Sequence, residues 1–198
     1  MKLFNSTPFA VLLAMGLTAC GAVTPAGFMA VSRLDPLTTP PGDIAFALEV
    51  PQTLRLTDKD AELRLRLIDD QDTAEVWVDE RVPLEIRPAS ETELSGARTD
   101  RALYVATVSE RDAETLAAAQ RQILDIRAQG QRGRGSLSIQ VVGGCLQGES
   151  LDGLPVSTWL QTDPSADFVP LTRERDVFDS LEPTERRALQ ARLERCAS

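Results

Sequence analysis

The chemistry open to this chain is limited first by a side chain it lacks. Among 198 residues there is no histidine, so a Ser-His-Asp or Cys-His nucleophile, an imidazole base and a His-ligated zinc site are all excluded. Thirty acidic residues stand against 21 basic ones, and with so many acids some pair falls at glycosidase spacing in almost any fold. Carboxylates alone therefore single out no catalytic site. The run Asp69-Asp70-Gln71-Asp72 gathers oxygen donors but lacks the glycine and the spaced bidentate acid of a calcium loop, and reads as a solvated hairpin turn. No metal ligand set and no cofactor is expected, since Gly143-Gly144 precedes a cysteine and a loop and not the helix that a phosphate-binding turn requires.

Arg127, Arg132 and Arg134, interleaved with Gly130, Gly133 and Gly135, form the most distinctive local pattern. As a mobile basic loop they are a candidate contact for an anionic headgroup or an acidic partner, because guanidinium forks match phosphate and carboxylate. The ordinary reason for such residues is a helix C-terminus, whose dipole favours cations. Nucleic acid is not an expected partner, given a net charge of −9. Trp77 and Trp159 fall opposite the aliphatic stripes of their strands. Exposed, they would make an aromatic contact surface; packed beneath a helix or loop, they would belong to a core.

The first twenty residues carry an address. Lys2 precedes an apolar stretch from Phe9 to Leu17, which is short of the about 20 residues needed to cross a hydrocarbon core and matches a secretion signal. Leu17-Thr18-Ala19-Cys20, followed by Gly21, resembles the lipobox of bacterial lipoproteins. The resemblance is confined to this region. It implies removal of residues 1–19, diacylglyceryl modification of Cys20, and anchorage to a membrane through acyl chains. Gly21 in place of the Asp linked to inner-membrane retention implies the outer membrane of a Gram-negative envelope, with the body facing the periplasm.

With Cys20 assigned to lipid, Cys145 and Cys196 remain. An oxidising periplasm joins such a pair in a disulfide. Cys196 follows Leu189 and Leu193 at helical spacing, which predicts that it faces the core. No Cys-x-x-Cys spacing poises a thiolate, so a structural bridge is the expectation.

The elements that position these groups read as mainly β. Residues 20–42, with Pro25, Pro36, Pro40 and Pro41, read as a tether after the lipid. From residue 43 the apolar period is two: Ile44 to Val50, Leu54 and Leu56, Leu63 to Leu67 against Glu62, Arg64 and Arg66, and Val76 to Ile86. In the last run Glu80 interrupts the apolar face, which predicts a bend or bulge near it. Leu103 to Val108 continues the pattern. Ser109 then caps a helix whose stripe is Ala113, Leu116, Ala117, Gln120, Ile123 and Leu124, ending at Gly130. Strands return at Leu137 to Val141 and Val156 to Leu160, and a helical tail runs from Thr172, restarting at Pro183. The expected fold is one α+β domain over 43–198: an antiparallel sandwich, or an antiparallel sheet covered by helices.

The expected function is that of a non-enzymatic envelope lipoprotein that binds another envelope protein as an accessory or assembly factor. A lipid or small-ligand module is the alternative. A carboxylate-dependent hydrolase of cell-wall glycan ranks last.

Overall fold

The alternation of Leu63, Leu65 and Leu67 with charged neighbours produces a nine-residue strand whose residues are alternately buried and half-buried from Ala61 to Asp69. A computed structural model places it in a mainly β, α+β fold and describes residues 37–70, 75–90, 92–94, 96–148 and 151–196. The signal segment, Cys20 and the tether up to residue 36 lie outside the described residues. In chain order the elements are β1 (Ala45–Pro51), β2 (Leu54–Arg55), β3 (Ala61–Asp69), β4 (Val76–Pro88), β5 (Arg101–Val108), α1 (Glu110–Ala128), β6 (Gly133–Val141), β7 (Gly144–Leu146), β8 (Pro155–Gln161), β9 (Val169–Asp176), α2 (Pro183–Arg192) and β10 (Leu193–Arg195).

Seven strands form one antiparallel sheet in the order β6-β3-β4-β5-β1-β8-β9. A second sheet, β10-β7-β2, has β10 parallel to β7 and adds Leu54, Leu146 and Leu193 to the main core. Of the two architectures expected, the helix-covered sheet is the one formed. On its core face, Leu63, Leu65 and Leu67 of β3, Val78, Val82 and Leu84 of β4, Tyr104 and Ala106 of β5, and Phe46, Leu48 and Val50 of β1 make one continuous apolar cluster. Helix α1 lays Leu116, Ala119 and Ile123 onto this cluster, and burying Leu116 and Ile123 stabilises the fold by about 1.5–3 kcal/mol each. Its ends are set locally. The Ser109 hydroxyl accepts from Asp112 N (3.1 Å), and Gly130 at φ 81° turns the chain out of the helix.

The other face of the sheet is divided. Over β5, β1 and β8 it is apolar and covered: Ala47, Leu103, Val105 and Trp159 hold Leu94 of the β4–β5 loop. That is why β1 is buried on both faces, beyond what its alternation predicts. Over β6, β3 and β4 the same face carries charged and polar side chains.

Several sequence expectations are corrected. Residues 37–42 do not belong to a free tether: Leu37 and Pro41 are buried, and the Thr39 carbonyl accepts from Gln120 Nε2 (3.0 Å). Thr172 to Asp176, read as the start of a helical tail, is the second half of strand β9, because pairing with β8 outweighs its weak local pattern. Helix α2 stops at Arg192, so Cys196 is not on its stripe but follows β10, half-buried, with its N–H donating to Leu146 O (3.0 Å). The Sγ atoms of Cys145 and Cys196 are 2.02 Å apart, at disulfide distance. Leu124 is off the helical stripe and 42% exposed. The irregularity expected near Glu80 is a bulge three residues earlier, at Trp77, since Ile68 pairs with Val76 and Leu67 with Val78. Glu80 keeps its place on the core face opposite Leu65 and is half-buried.

Candidate interaction surface

Of the glycines at 133 and 135, only the first stands where a side chain would not fit. Both lie in β6, which pairs with β3 residue for residue from Gly133 to Val141, so the basic loop expected around them shrinks to residues 129–132. A Cβ on Gly133 would come within 2.6 Å of the Ile68 carbonyl and 3.0 Å of Trp77 Cζ3. Trp77, as the extra residue of the bulge, is thereby turned to the core side, half-buried against Leu67. Above Gly135 stands Arg127, whose guanidinium would be 3.8 Å from a Cβ there.

The structure brings some of the predicted contact residues together and separates others. Trp77 and Arg132 line one open cleft of about 620 Å³ with Asp69, Asp70, Glu75, Gly130 and Gln131. Three carboxylates against one guanidinium do not favour an anion there. Gln71 and Asp72, the remainder of the expected turn, lie outside the described residues. Arg127 is on the α1 side of β6, whereas Arg134 pairs with Ile68 on the opposite face. Trp159 belongs to no contact surface: it is 2% exposed beneath Leu94, where β8 and the β4–β5 loop enclose it. Among the described residues no group of three or more His, Cys, Asp or Glu is placed to hold a metal ion, and no helix is long and apolar enough to cross a membrane.

A denser arrangement of charge lies on the outer face of β6, β3 and β4. Register places Arg64 between Arg81 and Ser138, Arg66 between Asp79 and Ser136, and Ile68 beside Arg134. Like charges directly across a strand pair are unfavourable, and Arg64 opposite Arg81 is tolerated because Asp79 sits diagonally between them. Arg64 grips Asp79 with Nε and Nη2, both at 2.5 Å, and Arg81 Nε is 3.8 Å from it. Asp79 is accordingly held below the usual carboxylate range, first by the hydrogen bond from Arg64 and then by the fields of Arg64, Arg81 and Arg66. The Arg64 guanidinium is raised by the same bond, with a smaller contribution from Glu185 of α2. Arg66 is left over. Its own cross-strand neighbour is engaged elsewhere, and its buried Nε has no hydrogen-bond partner.

Sequence reasoning saw a charged outer face on β3 but not this cluster, because only the register with β4 and β6 reveals which charges meet. It also missed Glu49. This carboxylate, 4% exposed, accepts from Arg98 N (2.8 Å) and from Ser157 Oγ (2.9 Å), tying the β4–β5 loop to β1 and β8. Its place in an otherwise apolar run of β1 was the available signal.

The two edges of the large sheet differ. β9 carries Pro170, the charges Arg173 to Asp176, two register shifts and Glu174 at φ 46°, all devices that blunt an edge. β6 has nine residues in unbroken register, no proline and one charge, Arg134. No family model, no curated protein and no solved structure matches the chain, so its function is read from these residues alone.

Proposed function

We propose that this protein is a lipid-anchored accessory or assembly factor of the bacterial envelope that acts by binding another protein. Two sequence features support the location: the lipobox-like Leu17-Thr18-Ala19-Cys20, and a cysteine pair suited to an oxidising compartment. The observation that carries the binding role is the β6 edge, which pairs with no strand beyond β3 among the described residues and is bordered by the arginine cluster, on a sheet whose other edge is blunted. Acyl anchorage confines the body near its partner and raises the effective concentration, so a modest interface suffices. Outer-membrane attachment facing the periplasm follows from Gly21 as part of the same reading.

The test is in-cell crosslinking of the full chain, followed by membrane fractionation and mass spectrometry. One stoichiometric protein partner and loss of membrane attachment in Cys20→Ala are expected. Recovery of lipid or glycan alone would overturn the binding role, and an unchanged fractionation of Cys20→Ala would overturn the anchor.

One observation favours the hydrolase reading: the cleft that sets Asp69, Asp70 and Glu75 beside Trp77, the pairing of carboxylates and an aromatic surface that glycan chemistry uses. Release of soluble fragments from purified peptidoglycan, abolished in Asp70→Asn, would establish it.

A further inference from the structure

We propose that β6 accepts an added strand from the partner, and that this strand alternates acidic with apolar residues. The inference rests on the protein-binding reading above and names its interface. Among the described residues nothing pairs with the outer side of β6, and such an edge offers alternate backbone N–H and C=O groups for main-chain pairing, with the side chains of the incoming strand supplying specificity.

The outer face dictates the acidic set. Arg134, Ser136, Ser138 and Gln140 of β6 share that face with Ile68, Arg66, Arg64 and Glu62 of β3. Neighbouring strands are about 4.8 Å apart, so an added strand lies two such spacings from β3. The serines at 136 and 138 are small, and a glutamate placed beside either can reach across it toward Arg66 or Arg64. A residue beside Gln140 meets Glu62 and would not be acidic. Arg66 is the group with most to gain, since Asp79, directly across the strand pair from it, is already gripped by Arg64.

The core face dictates the apolar set. Leu137 and Ile139 of β6 are half-buried and pack on the main core from its margin. Leu124 of α1 is 42% exposed and lies one helical turn before Arg127, which overhangs Gly135. Apolar residues on the added strand would cover these side chains. A second copy of this chain is the weaker occupant, because β6 against β6 sets like faces side by side and supplies no acid to Arg134 or Arg66.

The experiment uses the purified full-length chain and three ten-residue probes: alternating Glu and Val, the same composition in two blocks, and alternating Lys and Val. Binding is read by fluorescence anisotropy, and amide exchange is followed across Gly133–Val141. The alternating acidic peptide should bind at least about tenfold more tightly than either control and slow exchange in β6. Arg134→Glu should weaken it by about threefold to tenfold and improve binding of the Lys peptide, as expected when a cross-strand charge pair is reversed. Equal binding of the block peptide, or slowed exchange elsewhere than β6, overturns the proposal. Protection of β6 that appears only with self-association in sedimentation also overturns it, in favour of a dimer. A photoreactive residue at Ser136 in cells separates this failure from that of the parent reading: crosslinks to a protein through another position only would remove the β6 site and leave the accessory role standing.

Discussion

The Trp77 ring fills the volume that a side chain at position 133 would need, so Gly133 and Trp77 form one packing unit across the end of the sheet. Gly133→Ala should destabilise the fold by about 1–3 kcal/mol, the usual cost of forcing atoms into filled space. Adding Trp77→Leu should relieve only part of that cost, because the Ile68 carbonyl, 2.6 Å from the new methyl, is backbone and cannot move aside cheaply. Urea titration of the two variants and the double variant measures this coupling. A Gly133→Ala protein as stable as the parent would contradict it.

Glu49 should matter more than its place in an apolar run suggests. Glu49→Ala leaves the Arg98 N–H and the Ser157 hydroxyl without their acceptor, at about 1–3 kcal/mol for each unsatisfied group. Glu49→Gln keeps one oxygen and should cost less. Amide exchange should quicken at Arg98 and along the β4–β5 loop before the rest of the sheet is affected. Uniform quickening over all strands would show that Glu49 does not act through this loop.

The same loop should respond to acid. Glu93 is pushed from 4.5 down to about 2, first by the hydrogen bond from the Arg87 guanidinium and then by the Ser90 N–H. A carboxyl depressed in the folded state contributes its stability above the unfolded value, near 4.5, and loses it as the pH falls toward about 2. Because the Glu93 side chain is 37% exposed, solvent and salt keep the effect well below what the shift alone would give. Glu93→Gln should flatten the acid limb of the stability curve in that window. An unchanged limb would mean the pair is immaterial in solution.

The Cys145–Cys196 bridge closes a separation of 51 residues, which corresponds to about 3–4 kcal/mol in the chain-entropy account. Cys145→Ser should lose roughly that much stability and release β10 from β7, seen as fast exchange at Cys196 N–H, which donates to Leu146 O. A non-reducing peptide map of exported protein lacking the linkage would remove the bridge from the account.

What could be read from the sequence followed local periodicity. The alternation in β3 and the helix from Ser109 to Gly130 were legible, because each is specified by its own residues. β9 was not, since Val169 to Asp176 is a strand only by virtue of β8 beside it. The bulge that turns Trp77 inward depends on β3, and the meeting of Arg64, Arg66, Arg81 and Asp79 depends on register between three strands. Gly133 and Gly135 misled for a related reason: a glycine inside a paired strand and a glycine that frees a loop look alike until the neighbouring strand is known.

The central position of β1 has a kinetic consequence. Ala45 pairs with Thr107 on one side and Gln161 on the other, partners far along the chain, whereas β3 and β4 meet through a short connection. Sheets closed by such distant pairings fold in roughly milliseconds to seconds, more slowly than local hairpins form. The β3–β4 hairpin is therefore ready early and the docking of β8 onto β1 comes late. β6 reaches β3 across a comparably long stretch of chain, from Asp69 with Gly133 to Ala61 with Val141, so the early hairpin waits for its outer neighbour as well, and β3 is the strand most exposed to mispairing while the core remains open.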